Sequence, residues 1–252
     1  MKKSLLLLAT LLLSVNLRAA EPARIVCMIG EEEYKTWETL PDFAAKELKA
    51  AGHRVTIINA DAADKNQFPG LIEALRDADL LVLSVRRRTP PREQLDAVRA
   101  HLAAGRALVG IRTACHAFAL RPNDKVADPT LATWQEFDPE VLGGHYSGHH
   151  GKDPVAVALA PGAESHAILA GVTIAKLRGA YGLYKVSPLE KDTTPLLMGT
   201  VAGVPAEPVA WTRLHGAKKA RIFFTSLGAA DDFQIPDFRR FLNNAVAWAL
   251  GR

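Results

Sequence analysis

The sequence predicts an α/β protein: a three-layer α/β/α fold, doubly wound around a mostly parallel sheet. Three observations carry this. Apolar runs alternate four times with helix-period segments in the first half of the chain. The first run, "ARIVCMIG", is continuously apolar and ends in glycine, as a strand covered on both faces does, rather than alternating as a half-wet strand does. The helical segments close on glycine or a short polar turn before the next run, the pattern of right-handed crossovers between parallel strands.

In order, "ARIVCMIG" (23–30) is the first strand and "LPDFAAKELKAAG" (40–52) a helix with Pro41 in its first turn and Gly52 beyond its end. "HRVTIINA" (53–60) is a strand, "FPGLIEALRDA" (68–78) a helix and "DLLVLSV" (79–85) a strand. "TPPREQLDAVRAHLAAG" (89–105) is a helix that Thr89 caps, Pro90 opens and Gly105 ends. "RALVGIR" (106–112) is the fourth strand. Beyond the polar and aromatic insertion "WQEFDPEVLGGHYSGHHGKDP" (134–154), five short runs from "PVAVALAP" to "ARIFFTSLG" extend the sheet, partly antiparallel. "IPDFRRFLNNAVAWAL" (235–250) is the closing helix, with Phe238, Phe241, Leu242, Ala245, Trp248 and Ala249 on its inner face.

The chain opens "MKKSLLLLATLLLSVNLRAAEPAR". A basic start, an apolar core at 5–17 and small residues at Ala19 and Ala20 read as a secretory signal peptide over residues 1–19. The expected mature protein is then a single domain, 20–252, periplasmic or secreted, with no membrane attachment once the signal is cleaved. Lys2, Lys3 and Arg18 supply three of the four net positive charges, so the mature chain is expected near +1. That near-neutral balance and the lack of an aromatic–basic motif argue against nucleic acid as a partner. Cys27 and Cys115 are the only cysteines. Two make no disulfide framework, and buried free thiols are expected.

Ligands of doubly wound sheets sit beyond the carboxyl ends of the strands. Three polar clusters follow strands there. "GEEEYKTWE" offers Glu31 as a general base and Tyr34 or Trp37 as a stacking platform. "RRRT" offers Arg87 and Arg88, whose planar forks suit oxygen-rich ligands, with Arg86 in the adjoining turn. "GIRTACHAF" has the form of a strand–elbow–helix, the place where related folds hold a nucleophile. The pattern is similar to G-I-C-x-G of the class I glutamine amidotransferases, a flavodoxin-like architecture. Here Arg112 stands where the thiol would be, and arginine has no nucleophilic pair to offer. Cys115 is expected to be a packed thiol on the first helical turn. His116 beside it is an acid–base candidate.

"GGHYSGHHGK" (143–152) adds His145, His149 and His150. The H-x-x-x-H spacing serves zinc on a helix, but the surrounding glycines exclude one. No metal or other cofactor is therefore expected. The alternative is a divalent metal such as zinc held by His116, His145 and His149. Tyr146, Trp134 and Phe137 are further stacking candidates. Asp231 and Asp232, after "IFFTSLG", either line the same cleft or cap the last segment, and Lys218-Lys219 is a hairpin turn. No glycine-rich pyrophosphate loop follows the first strand, so a nicotinamide dehydrogenase is not expected.

Together "GIRTACHAF", "EVLGGHYSGHH", "ESHAILAGV", "GLYKVSPL", "PVAWTRLHG" and "ARIFFTSLG", in this order over nearly the whole mature chain, resemble the ThuA-like (trehalose utilisation) family. The resemblance implies a class I glutamine amidotransferase-like fold without amidotransferase activity, and a role in carbohydrate catabolism, often beside dehydrogenases that make keto-sugars. Two positions depart from many relatives: Ala229 replaces a frequent histidine after the late strand, and Tyr181-Gly182 replaces an acidic pair. The expected function is thus a sugar-processing hydrolase or lyase acting on a glycoside or keto-glycoside. Its catalytic candidates are His116, His145, His149 and Glu31. Its substrate-binding candidates are Arg87, Arg88, Arg112, Tyr34, Tyr146, His150 and Asp231. A non-catalytic carbohydrate-binding protein and a metal-dependent hydrolase are the alternatives, and homodimerisation stays open.

Overall fold

The computed structural model describes residues 21–126 and 128–252. The expected signal segment lies outside the described residues. Within them, no helix is long and apolar enough to cross a membrane.

Strands β1 (Arg24–Gly30), β2 (Arg54–Asn59), β3 (Leu80–Val85) and β4 (Ala107–Ile111) form a parallel set in the order β2-β1-β3-β4. β1 thus lies between β2 and β3, and the strand-order reversal that opens a crevice at the carboxyl ends falls between β1 and β3. β4 is followed in space by parallel β11 (Ala220–Thr225), so the last strand inserts beside the elbow. From there the sheet turns antiparallel through β10 (Glu207–His215), β9 (Thr193–Thr200), β6 (Val155–Leu159) and β7 (Arg178–Gly179).

Strand periodicity assigns residues to the two faces. Ile25, Cys27 and Ile29 of β1 pack with Leu40 and Phe43 of α1 (Thr36–Phe43) and Phe238, Phe241 and Leu242 of α4 (Pro236–Ala249). Val26 and Met28 pack with Leu71 and Leu75 of α2 (Leu71–Arg76) and Leu95, Val98 and Leu102 of α3 (Arg92–Ala103). This is the expected three-layer arrangement. Cys27 and Cys115 are free and buried, on opposite faces of the sheet. In α4 the expected inner face holds except at Trp248, which is half-buried.

Three local expectations are corrected. The first helix starts at Thr36, so Pro41 lies inside it; the chain then continues in wider turns over Ala44–Lys49. A proline takes an N–H out of the helical ladder, and Glu31 supplies the upstream start described below. Thr89 does not cap α3. Pro91, extended at φ −49 and ψ 141, is the flanking residue, and the Thr89 N–H goes instead to Asn66 Oδ1 at 2.9 Å. Finally, the histidine-rich insertion is not a free loop. β5 (Gly148–His150) pairs antiparallel with β8 (Leu183–Lys185), placing His149 opposite Tyr184. The backbone N–H groups of His145 and Ser147 prolong that ladder to Val186 O and Lys185 O.

Candidate active site

The elbow follows β4 directly. Arg112 is held at φ 45°, a left-handed conformation that costs a non-glycine residue about 1 kcal/mol or more. Arg87, after β3, and Lys35, after β1, are left-handed too at φ 49° and 56°. Three of the four such non-glycine residues among the described ones thus cluster just beyond the carboxyl ends of parallel strands. Strain of this kind persists only where surrounding structure enforces it.

At Arg112 the enforcement is visible. The side chain is 2% exposed, with Nη1 donating to Ser226 O at 2.6 Å and Nη2 to Tyr181 O at 2.5 Å. Its guanidinium carbon lies 4.0 Å from the Tyr34 ring centre and 4.8 Å from that of Tyr184. Arg112 therefore ties together the segments after β1 and β11 and the one before β8. Its Nε and the neighbouring Thr113 Oγ1 are buried without a hydrogen-bond partner.

The turn after Arg112 is a tight 3₁₀ helix, Arg112–His116, not the α-helix the sequence suggested. Within it Cys115 Sγ lies 3.3 Å from His116 Nδ1 and also 3.4 Å from Arg112 O. Burial pushes the Cys115 thiol well above its ordinary range, so it is a protonated packing group and no nucleophile. His116, 4% exposed, moves the other way. Desolvation, then the positive charges of Arg87, Arg86, Arg112 and Arg121, hold it well below the usual imidazole range. It is neutral at physiological pH. Its ring stacks on Tyr146 with 4.4 Å between centres. Its Nε2 has no protein partner among the described residues and is not one of the polar atoms sealed from solvent.

A cavity of about 380 Å³ lies elsewhere, against Trp37. Two others flank the elbow. His116 lines one of about 550 Å³, with Arg87, Asp138, His145 and Tyr146. Arg112 lines the other, of about 230 Å³, with Tyr34, His149, Tyr181 and Tyr184. Residues 145–148 of the histidine-rich segment face the first and residues 149, 151 and 152 the second. The segment is a wall shared by both.

Asp138 and Tyr184 belong to this neighbourhood and were not legible in advance. Asp138 is 4% exposed; its Oδ2 accepts the Tyr146 N–H at 2.7 Å, while Oδ1 is buried without a partner. Burial pushes its pKa up to about 7, against the opposing pull of the Tyr146 N–H, His145 and the Gly144 N–H. A Cβ on Gly144 would sit 3.1 Å from Oδ1 and 3.0 Å from the Trp211 ring, so this close approach requires glycine. Asp-Pro before an apolar turn carries no chemical signature. Tyr184 sits in a short strand run with no polar signature around it, and only the fold brings it under Arg112.

The remaining candidates separate. Glu31 is committed: Oε1 accepts from the Thr36 N–H and hydroxyl and Oε2 from the Tyr34 N–H, so this carboxylate caps α1 instead of facing a substrate as a base. Arg87 lines the His116 cavity with Nη1 on Ala119 O, whereas Arg88 turns away and donates from Nε to Gly30 O at 3.0 Å. Arg86 pairs with Glu33 at 3.0 Å. His145 is exposed and lies 3.0 Å from Glu190 Oε1. His149 is exposed, with Nδ1 2.7 Å from Gly151 O. His150 approaches Glu207 at 3.5 Å. Asp231 is exposed and lines neither elbow cavity. Its neighbour Asp232 is buried and accepts the N–H groups of Gly228, Ala229 and Ala180, the capping role. Phe137 is core, and Trp134 donates to Glu140 at 2.6 Å. His116, His145 and His149 do not converge; no three His, Cys, Asp or Glu side chains among the described residues are placed to hold a metal ion.

A doubly wound sheet with a strained elbow, closed by an antiparallel extension and carrying arginine where a nucleophile would stand, defines a class I glutamine amidotransferase-like domain with an altered elbow. The ThuA family, described as trehalose utilisation, matches residues 28–249, and the chain belongs to it. A ThuA-like protein from Bacteroides uniformis superposes with a TM-score of 0.65 at 18% identity, covering 91% of this chain and 93% of that one. One from Parabacteroides merdae gives 0.61 at 17%, covering 91% and 90%. A beta-galactosidase from Rahnella sp. R3 gives 0.58 at 16%, covering 91% of this chain but 32% of that one. At these identities the likeness is one of fold. No curated protein matches the chain.

Proposed function

We propose that this chain is an exported enzyme of carbohydrate catabolism that opens a keto-glycoside by proton abstraction, with His116 as the base. The observation that carries the reading is a single one. A neutral, buried imidazole has its Nε2 unbonded within the protein, on the wall of a cavity that the Arg87 guanidinium also lines. A base held neutral beside a fixed cation suits removal of a proton next to a carbonyl, because the cation stabilises the negative charge that develops on oxygen.

In this reading His116 Nε2 takes the proton from the carbon between the carbonyl and the anomeric carbon. The electron pair moves into the carbonyl, forming an enolate whose oxygen faces Arg87. Collapse of the enolate breaks the glycosidic C–O bond. The departing alkoxide takes a proton from water, the hydroxide left recovers the proton held by His116 and returns the imidazole to its neutral form, and the sugar remains as an unsaturated ketone to which water can add. Tyr146, stacked on His116 and fixed through Asp138, orients the ring. The family's trehalose link and the leader-like residues 1–19 support the sugar substrate and the export.

The test is turnover. Keto-glycosides and their parent glycosides are incubated with the purified protein and products followed by mass spectrometry. Cleavage confined to the keto forms, lowered about a hundredfold or more in His116→Gln, is expected. Failure to turn over any keto-glycoside, or full activity of His116→Gln, would overturn the assignment.

A further inference from the structure

The cavity against Trp37 is separate from both elbow cavities and opens at the carboxyl ends of β1 and β2, where Gly30 and Asn59 end their strands. It lies on the β2 side of β1, next to the strand-order reversal between β1 and β3, and the segment after β3 supplies Arg88 to its wall. Trp37 is 51% exposed, the most exposed of the large hydrophobic side chains among the described residues. Tryptophan contributes most when its ring is covered, so an open ring on a cavity wall is an unfilled platform. Opposite it, Arg88 fixes only Nε, on Gly30 O, leaving both Nη groups without protein partners among the described residues. Desolvation draws Arg88 below the usual arginine range, a cost that an oxygen acceptor at Nη would relieve.

The charges choose the ligand class. Glu31 and Glu32 face Lys65 and Arg88, two of each sign. The Glu31 oxygens are taken by the Thr36 and Tyr34 N–H groups, and Glu32 pairs with Lys65 at 2.7 Å. A lining that balances its own charge gives no net pull on an anion, yet offers hydrogen-bonding groups around a flat apolar ring. A cavity of about 380 Å³ holds one small ring. We infer that the Trp37 cavity is a second binding site, for a neutral pyranose ring that lies on Trp37 and hydrogen-bonds to Arg88. It needs no chemistry at His116.

The test uses the full chain labelled at tryptophan indole nitrogen, titrated with methyl α-glucoside, trehalose, glucuronate and inorganic phosphate. The indole N–H signal that disappears in Trp37→Ala identifies Trp37. The expected result is a saturable shift of that signal with the neutral sugars. Calorimetry should show the same binding weakened at least about tenfold in Trp37→Ala, largely kept in Trp37→Phe, and unchanged in His116→Ala. Trp37 is exposed, so the alanine variant should keep its unfolding midpoint. A Trp37 signal that responds to no probe, unaltered affinity in Trp37→Ala, a response to glucuronate or phosphate alone, or a Trp37-dependent change of oligomeric mass would each overturn the inference. Failure of keto-glycoside turnover would touch only the His116 reading.

Discussion

Replacing Asp138 by asparagine should change the pH dependence of stability in a calculable way. The Asp138 carboxyl ionises near 3.8 in the unfolded chain and at about 7 in the folded one. Between those values the folded protein holds a proton that the unfolded chain has released. Raising the pH through that window therefore favours unfolding, and stability present below about pH 4 is lost by about pH 7. A shift of roughly three units at 1.36 kcal/mol each is about 4 kcal/mol, and at 4% exposure solvent screening takes little of it. Asparagine keeps an oxygen for the Tyr146 N–H and never ionises. His116 titrates oppositely: its depressed pKa gives stability present above about pH 6.5 and lost as pH falls. The two partly cancel in the wild type, so the difference between variant and wild type is the quantity to measure. Urea unfolding between about pH 4 and pH 8 should show Asp138→Asn gaining on wild type by about 4 kcal/mol. A gain under about 1 kcal/mol would mean the carboxyl is ionised in the folded state, and the account of its burial would be wrong.

Other outcomes follow from the same geometry. Arg112→Gly should be more stable than Arg112→Ala by about 1 kcal/mol in thermal unfolding, because only glycine occupies φ 45° without strain; equal stabilities would remove the case for a strained elbow. Trp211→Phe should lose about 1–3 kcal/mol, since the fully buried indole donates to Leu142 O at 2.6 Å and phenylalanine leaves that carbonyl unpaired. Neither Cys27, pushed up to about 12 by burial, nor Cys115 should react with iodoacetamide in the folded protein at mildly alkaline pH, and both should in denaturant. Rapid native labelling of either would contradict the packing.

The fold was legible in the sequence because its signals are local. β1, β3 and β4 are continuous apolar runs, whereas β2, at the sheet edge, alternates in burial, and the crossover helices carry their periodicity in short segments. The elbow was legible too, as a strand followed by a turn at Arg112. What sequence could not supply was the partner across space. Glu31 looked like a free carboxylate after a strand, yet the first N–H of α1 at Thr36 takes one of its oxygens and the Tyr34 N–H just upstream takes the other. Arg87 and Arg88 are adjacent in sequence but serve different cavities, because the left-handed backbone at Arg87 turns the two side chains apart. The histidine segment read as a loop because its glycines mask the short ladder to β8. Asp138 gave no sign, since its character comes from being buried against Gly144 and Tyr146.

The grip of Arg112 has a consequence for assembly. Its two carbonyl partners lie 114 and 69 residues further along the chain. The elbow therefore cannot lock while the first four strands stand alone; it must wait for β11 to dock beside β4 and for the residues before β8 to arrive. Contacts of such sequence separation form slowly, because the intervening chain must first be closed into loops. The amino-terminal half can reach its sheet early during synthesis, but the arginine pocket, with Tyr34 and Tyr184 on either side, is completed only when the carboxyl-terminal strand is in place. Maturation of the cleft and docking of β11 are one event.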